Sequence, residues 1–204
     1  MVYLDHNATT PLDERVLEAM LPYLRGNYGN PSSVHAPGRE ARAALDRARE
    51  QLASLLNAHP SQVIFTSGGT EANNAAIKGM AFATPAARVV LGTTEHASVR
   101  GPTEALRHHG WSVEQTPCDE EGVVSANALS QTIDTHTRVA SVMWANNESG
   151  AINPIAELAG VCREHGVLFH TDAVQAAGKL ELDFPASGAH LMSPSAHKLY
   201  GPKG

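Results

Sequence analysis

Cysteine is scarce: only Cys118 and Cys162 occur in the 204 residues. They form no C-x-x-C pair and no disulfide framework, which excludes a stapled secreted scaffold and fits a reducing compartment. Positive charge is not in surplus, since 15 Lys+Arg face 21 Asp+Glu for a formal charge of -6. With no basic block, the electrostatic footprint of a nucleic-acid binder is missing. Long apolar runs are missing too. The longest, such as Arg88 to Gly92, fall far short of the roughly 20 residues that span a bilayer. The start, Met1-Val-Tyr-Leu-Asp-His6, lacks the basic and apolar regions of a secretory leader. A cytoplasmic protein without membrane or nucleic-acid partners is the expectation.

What is present is a globular balance, 42% apolar and 18% charged residues, on a chain long enough to bury one sizeable core. Eleven histidines are the one excess. No H-x-x-x-H or C-x-x-C pair supports a metal site, and His108-His109 read as exposed at a helix end, so no metal is expected.

From about Pro60 onward, short β-branched or apolar runs alternate with longer helical segments, the signature of a mostly parallel sheet sandwiched by helices. The class is α/β. Candidate strands are Val63–Thr66, Arg88–Leu91, Ser112–Gln115, Arg138–Met143, Gly166–Thr171 and His190–Ser193. Ala-rich stretches at Thr70–Ala83, Ser98–His109 and Pro154–His165 carry apolar residues at three- and four-residue spacing, as crossover helices do. Ahead of the sheet, Gly38–Asn57 alternates Arg and Glu with Ala and Leu, an amphipathic helix whose charged face is read as solvated. The predicted division is an N-terminal helical segment, residues 1–58, and a larger domain, 59–204.

In an open parallel sheet, ligands sit beyond the carboxyl ends of the strands. Those ends are polar here. After the first candidate strand, Thr66-Ser-Gly-Gly-Thr-Glu-Ala-Asn-Asn74 brings glycines, hydroxyls and a helix start together, which reads either as a phosphate cradle or as a helix cap with Ser67 or Thr70 capping and Glu71 in the first turn. It is not a nucleotide P-loop, because no Gly-Lys-Ser/Thr follows. His96 follows the second strand, and alone it reads equally as structural. Asn146, Asn147 and Glu148 follow the fourth, and Asp172 and Gln175 the fifth. An acid at the end of a buried strand is costly unless it meets a cation or a donor, so Asp172 implies a positively charged partner. Ser193 to Gly204 offers a hydroxyl, an imidazole and an amine close together, with Lys198 the candidate nucleophile; its alternative is a surface lysine in the turn before Gly201-Pro202.

A lysine near a phosphate cradle, with a buried acid on a neighbouring strand, is what pyridoxal 5'-phosphate requires. The amine condenses with the aldehyde, the acid keeps the pyridine nitrogen protonated, and helix amides hold the phosphate.

At this point the chain resembles the cysteine desulfurases of the iron-sulfur cluster type, in the class V aminotransferase group of fold-type I pyridoxal-phosphate enzymes. The resemblance rests on Tyr3–Pro11, Gly29–His35, Thr66–Asn74, Glu95-His96, Asn146–Glu148, His170–Gln175 and Ser195–Gly204, in the family's order along the whole chain. It implies that Lys198 is the Schiff-base lysine and the candidate base for the substrate's α-proton. It also implies that His96 stacks on the cofactor ring and moves protons, that Asp172 pairs with the pyridinium nitrogen, and that Gln175 bonds the ring oxygen. Gly69, Thr70, Ser195 and His197 are implied as phosphate ligands. Asn147, and less surely Asn146, face the ring and the substrate carboxylate. His6 departs from the Asn or Tyr of many relatives.

The resemblance further implies L-cysteine as substrate, L-alanine as product, a homodimer, and a sulfur acceptor or iron-sulfur scaffold as partner. Family members continue for roughly as many residues again, with the nucleophilic cysteine, an arginine for the substrate carboxylate and a small domain. Neither Cys118 nor Cys162 matches that cysteine. The chain alone is therefore expected not to desulfurate cysteine, and to associate, misfold or need its complement. A selenocysteine lyase, another class V enzyme and a non-catalytic relative that docks a partner are the alternatives.

Overall fold

The computed structural model describes residues 2–203. Met1 and Gly204 lie outside the described residues, and with them the outer ends of the 1–58 and 59–204 segments and of the Ser195–Gly204 motif.

Two helices come first. In α1 (Glu14–Arg25), the Asp13 carboxylate caps the start by accepting from the Arg15 amide at 2.8 Å. α2 (Ala36–Leu55) begins two residues earlier than the sequence pattern predicts, because His35 caps it and Pro37 occupies the first turn. Its charged face is solvated as expected, with Asp46 between Arg42 at 3.0 Å and Arg49 at 3.2 Å.

The alternation that follows is α3 (Gly69–Phe82), β1 (Arg88–Gly92), α4 (Ala97–Ala105), β2 (Ser112–Thr116), α5 (Ala126–Thr132), β3 (Thr137–Ser141), α6 (Ile155–Glu164), β4 (Leu168–Asp172), α7 (Phe184–Ser187) and β5 (Leu191–Ser193). The strands form one parallel sheet in the order β2-β1-β3-β4-β5.

Alternate side chains of β1 go to opposite faces, which explains why the strand reads as unbroken apolar sequence. Val89 and Leu91 pack with Ile77 and Met80 of α3 and Val99 of α4. Val90 packs on the other side with Leu129 of α5 and Leu158 and Cys162 of α6. Phe169 of β4 is fully buried in that second cluster, and truncating it to Ala is expected to cost about 3–5 kcal/mol.

Three expectations need correction. Val63–Thr66 belongs to no strand: its residues run on from a 3-10 turn, and Ile64 and Phe65 stay exposed. β-branched and aromatic residues favour extended backbone, but a strand also requires a ladder partner, which local sequence does not encode. His190 likewise stands before β5 instead of within it. Its amide donates to the Phe169 carbonyl at 2.8 Å, and its ring Nδ1 accepts from the Phe169 amide at 3.0 Å. The stretch predicted as one helix over Ser98–His109 is α4 followed by a tighter 3-10 turn, Leu106–His109; His108 and His109 are exposed.

Candidate active site

The strand order places a switch point between β1 and β3: the chain leaves β1 toward β2 on one side, then returns to lay β3 on the other. Crevices outside the carboxyl ends of strands at such a point are where open α/β sheets bind ligands. A cavity of about 540 Å³ lies here, lined by Gly69, Thr70, His96, Asn147, Asp172, Gln175, Ser195, His197 and Lys198. These nine predicted residues come from five separated stretches of chain.

One wall is the start of α3. Gly68, its N-cap, has no side chain, so no side-chain cap takes up the first amides of the helix. A Cβ on Gly69 would stand 3.1 Å from Val174 Cγ2 and 3.3 Å from Ser195 Cβ, so an alanine here would make Val174 or the Ser195 turn give by a few tenths of an ångström. Glu71 serves the local turn, its carboxylate accepting from the Ser67 amide at 2.6 Å. Of the cap reading only Glu71 in the first turn holds: the N-cap is Gly68, and neither Ser67 nor Thr70 caps the helix with its side chain.

Asp172, at the end of β4, is 5% exposed. Its Oδ1 accepts from the Val174 amide at 2.9 Å and its Oδ2 from Asn73 Nδ2 at 2.7 Å. Burial pushes its carboxyl pKa up, against the pull of those donors and of the nearby His96 and Lys198. No cation approaches it within 4.0 Å among the described residues.

Lys198 lies in a 3-10 turn, Ala196–Lys198, after β5. Its ammonium donates to the carbonyls of Asn7 and, at 2.8 Å, Ala8. Burial pulls its pKa below the ordinary lysine range, and the positive charge of Lys179 adds to the effect. Burial, then Lys198 and Lys203, lower the neighbouring His197. Gln175 donates from Nε2 to the Asn7 carbonyl at 2.9 Å and accepts from Lys179 Nζ at 2.6 Å.

His96 caps α4, its Nδ1 accepting from the Ser98 amide at 3.1 Å. Beside it Glu95 is 3% exposed; one oxygen accepts from the Met143 amide and the other has no partner. Burial, and then repulsion from Asp172, push its carboxyl well above the usual range.

Two predicted residues do not join the cavity. Asn146 closes its own turn, accepting from the Glu148 and Ser149 amides at 2.8 and 2.9 Å. His6 stacks on Tyr3 at 5.5 Å. Sequence reasoning missed Asn73, Ser98, Asn7 and Lys179. Of these, Asn73 left a trace, an amide at a helical position that burial would otherwise fill with Ala or Leu. Neither cysteine lines the cavity: Cys162 is buried with its thiol pushed up to about 12 by burial, and Cys118 accepts from Thr93 Oγ1 at 3.4 Å. No group of three metal-ligating side chains occurs among the described residues, and no helix there is long and apolar enough to cross a membrane.

A parallel sheet with a switch-point cavity, a buried acid and a lysine on the next strand's exit is the framework of fold-type I enzymes. The profile of the class-V aminotransferases matches residues 2–204, and the chain belongs to that family. It is 46% identical over 205 residues to the cysteine desulfurase IscS of Dictyoglomus turgidum, covering all of this chain and 52% of that protein. It is 48% identical over 206 residues to human cysteine desulfurase, covering all of this chain and 45% of that protein. Among solved structures, SspA in complex with cysteine superposes with a TM-score of 0.95 at 37% identity, covering all of this chain and 59% of that one. A NifS-like protein gives a TM-score of 0.95 at 38% identity over 57% of its length. The chain spans about half the length of the curated relatives it matches.

Proposed function

We propose that this chain carries the pyridoxal-phosphate site of a cysteine desulfurase, in which L-cysteine yields L-alanine and its sulfur passes to a cysteine thiolate that neither Cys118 nor Cys162 supplies, giving a persulfide. The observation that carries this reading is the placement of Asp172 and Lys198 in one cavity: a buried carboxylate with donors but no cation, and an amine of lowered pKa. A group with a cationic ring nitrogen and an aldehyde satisfies both. The open amides of α3 and the close approach of Gly69 to Ser195 suit its phosphate.

Pyridoxal phosphate, when bound, supplies an aldehyde carbon for amines and a ring that accepts electrons. The chain's own residues do the rest. Burial and Lys179 keep a larger share of Lys198 as free amine near neutral pH, the form needed both as nucleophile and as base for the substrate's α-proton. Asp172 holds a fixed negative charge against the ring nitrogen. His96 presents an aromatic face and a ring nitrogen at the cavity, Gln175 an amide for the ring oxygen, and Asn147 a side chain for the substrate carboxylate. Gly69, Thr70, Ser195 and His197 gather the phosphate.

Residues 1–58 are proposed as a helical segment apart from the cofactor-bearing 59–204, although Thr10 reaches across to the His197 carbonyl at 2.9 Å. A homodimer, cytoplasmic location and a sulfur-accepting or iron-sulfur scaffold partner complete the proposal. The test is the absorbance band near the visible edge that appears when pyridoxal phosphate is added. Lys198→Ala is expected to abolish it, and a band indifferent to that change overturns the reading.

A further inference from the structure

Asn73 sits on α3, 1% exposed, and both hydrogens of its amide are engaged. Nδ2 donates to Asp172 Oδ2 at 2.7 Å and to Ser98 Oγ at 2.9 Å. Ser98 Oγ in turn lies 2.7 Å from His96 Nδ1, which also accepts from the Ser98 amide at 3.1 Å. The direction of every hydrogen in this chain follows. A ring nitrogen that accepts a backbone N–H is bare, so the Ser98 hydroxyl donates to it. The hydroxyl is free to do so because its oxygen already accepts from Asn73.

The amide cannot be turned the other way. Flipped, Asn73 Oδ1 would face the Asp172 carboxylate, and two acceptors would repel. As it stands, Oδ1 is buried without a partner, a desolvation cost that an alanine at this position would avoid. Nothing in the packing of α3 requires an amide there. Its neighbours on the buried face, Ala76, Ile77 and Met80, are apolar.

We propose that Asn73 is a positioning residue that ties Asp172 to His96 through the Ser98 hydroxyl, which together with the Ser98 amide holds His96 in the tautomer with its proton on Nε2. One side chain thereby sets both the acid and the imidazole of the site in a single hydrogen-bonded row. For its functional meaning this inference rests on the pyridoxal-phosphate reading. Its structural content does not, so the two can fail separately.

The test is a long-range proton–nitrogen correlation spectrum of the histidine rings in the 204-residue chain without added cofactor, with His96→Gln assigning the His96 signals. The expected result for the unsubstituted chain is a bare Nδ1 and a protonated Nε2. In Asn73→Ala the Ser98 hydroxyl loses the donor that orients it and the Ser98 amide alone is left to hold Nδ1 bare, so the ring nitrogen shifts are expected to move part of the way toward averaged values. His170, buried between Ser141 and Ser193, is the internal control and is expected to stay unchanged. If Asn73→Ala disturbs His170 as well, Ser98→Ala carries the test, since it removes only the hydroxyl link, and the same averaging is expected there.

A protonated Nδ1 in the unsubstituted chain overturns the proposal. So does a His96 pattern that survives the decisive variant intact. Failure of the cofactor reading shows itself differently, as no chromophore on adding pyridoxal phosphate while the His96 tautomer stays as described.

Discussion

Lys198 and Asp172 line one cavity without forming an ion pair. The ammonium is held by the Asn7 and Ala8 carbonyls, and the carboxylate by the Val174 and Asn73 donors. Each charge is therefore satisfied by dipoles, and the space between them stays open to something that complements both.

The like charge of Lys179 gives the first prediction. Because it lowers the Lys198 pKa, Lys179→Met is expected to move the pH midpoint for alkylation of Lys198 upward. Peptide mass spectrometry of the labelled chain over a pH series reads it. A midpoint that stays put or falls contradicts the assignment.

The second concerns acid stability. His170 accepts and donates between the Ser141 and Ser193 hydroxyls at 2.9 Å each, and burial drives its pKa down to about 3. The unfolded chain binds a proton near pH 6.5 while the folded chain does not, so stability falls as pH drops from about 6.5 toward 3, by up to about 1.4 kcal/mol per pH unit. His170→Leu is expected to remove that slope in urea melts. It is also expected to cost about 2 kcal/mol or more at pH 7, because two buried hydroxyls lose their partner.

Glu95 acts with the opposite sign. Its folded pKa is raised, so its contribution is fully present below about pH 4.3, the unfolded value, and is lost as pH rises through the folded one. Glu95→Gln is expected to steepen the rise of stability with pH above that point, since the opposing contribution disappears. Parallel melts of the two proteins from pH 4 to 8 decide it.

Gly178 has φ +72, and a Cβ there would lie 2.3 Å from Leu199 Cδ2. Gly178→Ala combines left-handed strain of about 1–2 kcal/mol with a clash against the residue next to Lys198. A fall in melting temperature and slower Lys198 alkylation are expected together.

Gly69→Ala separates binding from stability. Alanine gains up to about 1 kcal/mol in helix propensity, which offsets much of the crowding against Val174 and Ser195. Melting is expected to change little, while affinity for inorganic phosphate or pyridoxal phosphate, read by isothermal titration calorimetry, falls about tenfold. Equal losses in both would make the glycine merely structural.

Much of this architecture was legible because parallel strands are apolar throughout and their exits are polar. Arg88–Leu91 and Ser112–Gln115 match β1 and β2 to within one residue, and the residues after the strands, His96, Asn147, Asp172 and Gln175, line the cavity. What escaped was whatever depends on pairing across the fold. Val63–Thr66 has strand composition but no ladder. Asn146 and Asn147 are adjacent and chemically identical, yet the turn they share takes one for its own amides and leaves the other at the cavity. Asn73 left only the trace of an amide at a helical position, and its role did not show because its partners are 25 and 99 residues away.

The contact between Asn7 and Lys198 joins positions 191 apart in sequence. Closing a ring of so great a contour distance carries a loop-entropy cost that the sheet between its ends helps to offset. Occupancy of the cavity then reports on both segments at once: a molecule bound there stabilises only chains in which the loop around Asn7 has already met the Lys198 turn.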